Sequence, residues 1–153
     1  MNTKARNRQA GNTLIEVMFA VFLALVCAMI FAAAMPTAAA SRKKADNYNT
    51  AISIAERQLE ALKGVDPGLK PDQLYAAGLI DSTTPVGTDT WEFTQVGSAT
   101  NDNAAKVLKN GVAKILIELV DIELRRVTVT IDWKERGQDR NVTLSTLVAD
   151  LNN

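Results

Sequence analysis

The sequence predicts an α+β fold, with one long N-terminal helix and a small C-terminal antiparallel sheet of three to four strands. Three observations carry this expectation. An apolar run, interrupted by a single acid, extends from Leu14 to Ala34. Apolar residues at helical spacing follow between residues 41 and 63. Alternating apolar and polar residues fill much of the C-terminal third, a period that belongs to half-buried strands.

The chain has 153 residues, enough for one modest domain and one extra segment. Hydrophobic residues make up 47 % but are concentrated between Leu14 and Ala40, and aromatics are only 5 %. The core of the remainder must therefore rest on Leu, Ile and Val. Seventeen basic groups balance seventeen acidic ones. Three of the basic groups, Lys4, Arg6 and Arg8, lie in the first eleven residues, which hold no acid. Without them 14 basic groups face 17 acidic ones, a formal −3. That charge does not point to a nucleic-acid partner, which calls for a basic surface. There is no histidine, so the commonest general base and metal ligand is missing. The reading is of a non-enzymatic protein without a cofactor. The single cysteine, Cys27, has no partner for an internal disulfide.

Residues 1–11 form a short basic segment. The 21 residues from Leu14 to Ala34 would span about 31 Å as a helix, matching a bilayer core of about 30 Å. Glu16 lies three positions inside this run. An acid deep in a membrane helix costs roughly 2.5–3.5 kcal/mol, and less near the helix end. Glu16 has two readings: a carboxylate that snorkels to the interface beside the positive end of the helix dipole, or a charge with a defined partner.

The segment Gly11-Asn12-Thr13-Leu14-Ile15-Glu16-Val17 resembles the cleavage and methylation signature of type IV prepilins. In that family cleavage follows a glycine, and an acid stands fifth in the mature chain. The resemblance implies a leader of residues 1–11 removed after Gly11 by a prepilin peptidase. It also implies an N-methylated first residue at Asn12, where the family usually has Phe or Met, and an assembly role for Glu16. The new amine at Asn12 and the Glu16 carboxylate would lie about 6 Å apart along the helix. In the filament, Glu16 of one subunit would meet the amine of a neighbour. Such a pair adds little net stability in apolar surroundings, but leaving either charge unpaired is expensive, so it fixes register. The implied partners are other pilin or pseudopilin subunits and an inner-membrane assembly platform.

Competing readings of the N-terminus are weaker on the residues. A secretory signal would use Ala38-Ala39-Ala40 before Ser41, but its apolar region should be about 7–15 residues. A lipoprotein signal at Cys27 would need a small residue where Val26 stands. Lys4, Arg6 and Arg8 on one flank balance Arg42, Lys43 and Lys44 on the other, so charge does not set orientation. The resemblance implies a single-pass precursor in the bacterial inner membrane with a cytoplasmic N-terminus and an extracytoplasmic C-terminal domain. Residues 12–40 would be the transmembrane and assembly helix. Pro36 is expected to bend that helix at the membrane exit.

Residues 41–63 read as an amphipathic continuation. Tyr48, Ile52, Ala55, Leu59 and Leu62 form one stripe, and Gly64 and Pro67 end the helix. Residues 64–153 are the loop region and sheet. A short helix is expected at residues 71–77, opened by Pro71, and a strand at residues 91–96. Asn101-Asp102-Asn103 offers too few oxygen donors for calcium, so no metal site is assigned. The strongest strands are residues 112–119 and 124–133. Val127, Val129, Ile131 and Trp133 share one face of the second. A turn at residues 135–138 leads to a last strand at residues 140–148, and the helix must cover this hairpin. Its Val-Thr-Val-Thr-Ile-x-Trp strand resembles the C-terminal sheet of minor pilins of the PilV type. Arg125, Arg126, Lys134, Arg136 and Arg140 are diluted by Asp132, Glu135 and Asp139, and read as a solvated hairpin face. The expected function is thus that of a structural minor pilin in a type IV pilus. The same chemistry would serve a type II secretion pseudopilin, and a tip adhesin or DNA-uptake pilin is a further reading.

Overall fold

Straight-chain and small apolar residues dominate the sequence from Leu14 onward, and helix α1 (Leu14–Lys63) forms there. It continues through Pro36, whose missing N–H leaves the Ala32 carbonyl without its usual intrahelical donor. The computed structural model describes residues 13–65, 70–96, 103–121 and 124–149. The chain divides into two compact units, residues 1–42 and 43–153. In the first, every residue from Thr13 to Ala39 is exposed.

The second unit holds the core. Residues 43–63 of α1, α2 (Pro71–Ala76), β1 (Thr90–Glu92), α3 (Ala104–Val107), β2 (Val112–Asp121), β3 (Leu124–Glu135) and β4 (Gln138–Ala149) follow in order. The four strands form one antiparallel meander in the order β1-β2-β3-β4. Its inner face carries Trp91, Ala113, Ile115, Ile117, Val127, Val129, Ile131 and Trp133, all buried. The helical stripe against them is wider than the spacing 48, 52, 55, 59, 62 suggests. Ala51, Ile54 and Gln58 are buried with Ala55, Leu59 and Leu62, while Ile52 is only half-buried. A helix lying on a sheet buries a broad band, and Ala51 and Gln58 fall inside it despite their modest apolarity.

Gln58 is the buried polar side chain of this band, and its Nε2 donates to the Leu79 carbonyl at 2.6 Å. The bond ties α1 to the segment after α2, where Leu74 and Ile80 enter the core. Asn47 Nδ2 donates to Glu135 Oε1 at 3.1 Å, so the other end of the same helical segment is tied to the β3–β4 hairpin. Both bonds join residues whose partners are far away in sequence.

β1 is shorter than the alternation of residues 91–96 suggests. Its ladder to β2 covers residues 90–92. The Thr94 hydroxyl then accepts from the Ala113 N–H at 2.9 Å, so a side chain replaces a backbone partner and the strand ends. The α3 turn has no counterpart among the sequence expectations. Asn103 caps it, its Oδ1 accepting from the Lys106 N–H at 2.8 Å, a role that serves the N-cap. Gly111 follows at a close approach, where an added Cβ would meet the Ala104 carbonyl oxygen at 2.1 Å. The β3–β4 turn places both Arg136 (φ 50°) and Gly137 (φ 81°) in the left-handed region, the two-residue type I′ geometry that suits strand twist.

Candidate functional site

The candidate site is the start of α1. The Thr13 carbonyl accepts from the backbone N–H of Glu16 at 2.9 Å and of Val17 at 3.2 Å. Thr13 thus stands at the cap and Glu16 is the third helical residue. The first-turn N–H groups of a helix lack intrahelical acceptors, and their partial positive charge favours a carboxylate there by about 0.3–1 kcal/mol. The fold therefore accepts Glu16 without strain.

Thr13-x-x-Glu16 also has the spacing of a capping box, in which the two side chains satisfy each other's backbone N–H groups. Among the described residues neither the Thr13 hydroxyl nor the Glu16 carboxylate makes a side-chain hydrogen bond. The capping box is thus not made among the described residues, and the helix dipole is the local interaction that Glu16 retains. Glu16 is an exposed charge on an apolar surface formed by Leu14, Ile15, Met18 and Phe19, which are 64–81 % exposed. No other charged residue lies between Arg8 and Arg42. An apolar surface of this size is unfavourable in water, and a carboxylate carried from it into apolar surroundings without a cation is costly.

Gly11 and Asn12, the expected cleavage and methylation positions, lie outside the described residues. So do Asn101 and Asp102. Asn103 is used as a helix cap. Among the described residues no group of three or more His, Cys, Asp or Glu side chains is arranged to hold a metal. Cys27 is an exposed residue of the apolar helix. The hairpin cations are partly paired: Arg126 lies 3.9 Å from Glu118 and Lys134 lies 3.7 Å from Asp139.

α1 is long and apolar enough to cross a membrane. No similar protein of known function and no similar solved structure matched the chain. Residues 6–32 match the family model of the prokaryotic N-terminal methylation motif. The match covers Arg6 and Arg8 of the basic leader, Gly11, Asn12, Glu16 and nearly all of the apolar run, and with the apolar helix it supports a membrane-anchored precursor of the type IV pilin or pseudopilin kind.

Proposed function

We infer that the chain is a minor pilin-like structural subunit, trimmed by a prepilin peptidase between Gly11 and Asn12 and assembled into a type IV pilus. The observation that carries this reading is the position of Glu16. It is an acid on the first turn of an exposed apolar helix, unpaired among the described residues and inside a matched methylation motif. Trimming removes Lys4, Arg6 and Arg8 and frees an amine at Asn12, four residues from that acid. The amine, N-methylated or not, keeps its positive charge. It is the cation that the Glu16 of a neighbouring subunit would pair with as apolar helices pack.

In this reading residues 12–40 anchor the precursor in the inner membrane and later line the filament axis. Residues 41–63 seat the sheet domain, which stands on the extracytoplasmic side. Partners are the peptidase, the assembly platform and other pilin subunits. N-terminal sequencing of the mature protein tests it: a start at Asn12 supports the reading, whereas Ser41 or Met1 overturns it. The motif serves a type II secretion pseudopilus equally well. Copurification with pilus or with secretion components separates the two.

A further inference from the structure

The two edges of the sheet are treated differently by the chain. The β1 edge is three residues long and is closed by its own loop, with the Asp81 N–H donating to the Glu92 carbonyl at 2.8 Å and the Val86 N–H to the Thr90 carbonyl at 2.9 Å. The β4 edge is twelve residues long. Among the described residues no backbone bond from another segment reaches it. From Asn141 to Ala149 it reads NVTLSTLVA, with no charge, proline or glycine, and its pairing to β3 has no bulge. Exposed edges are normally blunted by charges, prolines, bulges or covering loops, because their free N–H and C=O groups template another strand. None of these devices is present along this stretch. On the inner face, Val142 and Leu144 pack against the core but remain half-buried, so the cover stops short of the margin.

We propose that β4 pairs with β4 of a second copy of this chain, antiparallel and about a two-fold axis at Ser145. The occupant follows from the pattern of the strand. Centring on residue 145 overlays the whole uncharged stretch on itself. Val142 then faces Val148, Leu144 faces Thr146 and Thr143 faces Leu147. Each pair joins residues of the same parity, so both inner faces stay on one side. An axis between two residues would pair inner with outer side chains, a slip that exposes the apolar set. No like charges meet in this register. The nine paired residues are about 31 Å long, and a sheet edge with its side chains is about 10 Å thick. The contact thus covers roughly 600 Å² in total, well short of the roughly 1,200 Å² of a stable complex. It is a reversible contact for chains already held close together, and it holds whether or not the chain enters a filament.

Cysteine cross-linking of the purified full chain in detergent micelles tests it, in a Cys27→Ala background with copper-phenanthroline and air as oxidant. Opposed residues of an antiparallel pair lie about 4.5–5.5 Å apart, within disulfide reach. Ser145→Cys should give disulfide-linked dimer at least tenfold faster than Thr128→Cys. Thr128 is its neighbour on the same sheet face, with the two hydroxyl oxygens 3.0 Å apart, but lies one strand inside the edge. Equal rates overturn the proposal. Chains carrying Thr143→Cys, mixed with chains carrying Leu147→Cys, should link to each other faster than either links to itself. Absence of that preference overturns the register, and this pair decides the matter if Ser145→Cys fails to fold by circular dichroism.

Discussion

The Tyr48 ring stands edge-on to the Trp133 indole, with centroids 4.9 Å apart and planes at 80°. This contact joins the helical segment of the second unit to the inner strand β3, one residue along the chain from the Asn47–Glu135 bond. Trp133 is 2 % exposed, and among the described residues its Nε1 has no hydrogen-bond partner, so its contribution there comes through area and ring geometry. Aromatic pairs of this kind are worth about 0.5–1.5 kcal/mol beyond their buried area. A double-mutant cycle with Tyr48→Leu and Trp133→Leu, read by denaturant unfolding followed through circular dichroism, should return a coupling of about that size. A coupling near zero would mean that the pair is held only by its surroundings.

Gln58 gives a second, independent test of how α1 is seated. Gln58→Ala leaves the Leu79 carbonyl without its 2.6 Å donor. An orphaned buried acceptor costs about 1–3 kcal/mol. The loss should appear as faster amide exchange around Leu79 and Ile80, while the β2–β3 ladder keeps its protection. Uniform loss of protection would place Gln58 in the global core rather than at a local tie.

Two positions in the turns should respond in opposite directions. At Gly111 even a methyl group meets the Ala104 backbone, and overpacking of this kind costs about 1–3 kcal/mol. Gly111→Ala should lower the melting temperature by several degrees. Arg136 holds a φ of 50° before Gly137, and Asn-Gly suits a type I′ turn far better. Arg136→Asn should stabilise the chain by about 0.5–1 kcal/mol, an amount typical of relieving an ill-suited backbone position, and thermal unfolding reads both variants.

These positions also mark how far the sequence alone could be read. Long alternating strands announce themselves, and the buried set Val127, Val129, Ile131 and Trp133 follows directly from a period of two. The helix was legible as a helix, but its buried band was not. Ala51 carries only a weak apolar signal and Gln58 none, and they are buried because the sheet lies against them. The α3 turn, four residues long, is too short to show a period. Its cap, Asn103, stands out in the sequence only as an oxygen donor. The Gly11–Glu16 segment was legible because its chemistry is local. Its proposed role depends on a neighbouring subunit, and no intrachain contact among the described residues supplies a partner for Glu16. The bare edge of β4 was hidden for the opposite reason. The residues Asn141 to Ala149 look like any strand until the sheet order leaves one side of them open.

The charge of Glu16 can be separated from its size. Glu16→Gln keeps the shape and the hydrogen-bonding capacity but cannot neutralise an amine. If the carboxylate only snorkels to the interface, Gln should support assembly as well as Glu, since removing the charge lowers the insertion penalty. If the carboxylate pairs with the amine of a neighbour, Gln and Ala should fail alike. Leaving one member of a buried pair unpartnered costs about 3–5 kcal/mol, which corresponds to a loss of roughly hundredfold or more in incorporation. Membrane retention should be unchanged in both variants, because the other 20 residues from Leu14 to Ala34, all apolar or small, remain. Quantifying the subunit in sheared filaments against the membrane pool therefore reads the pairing directly, and wild-type incorporation of Glu16→Gln would rule it out.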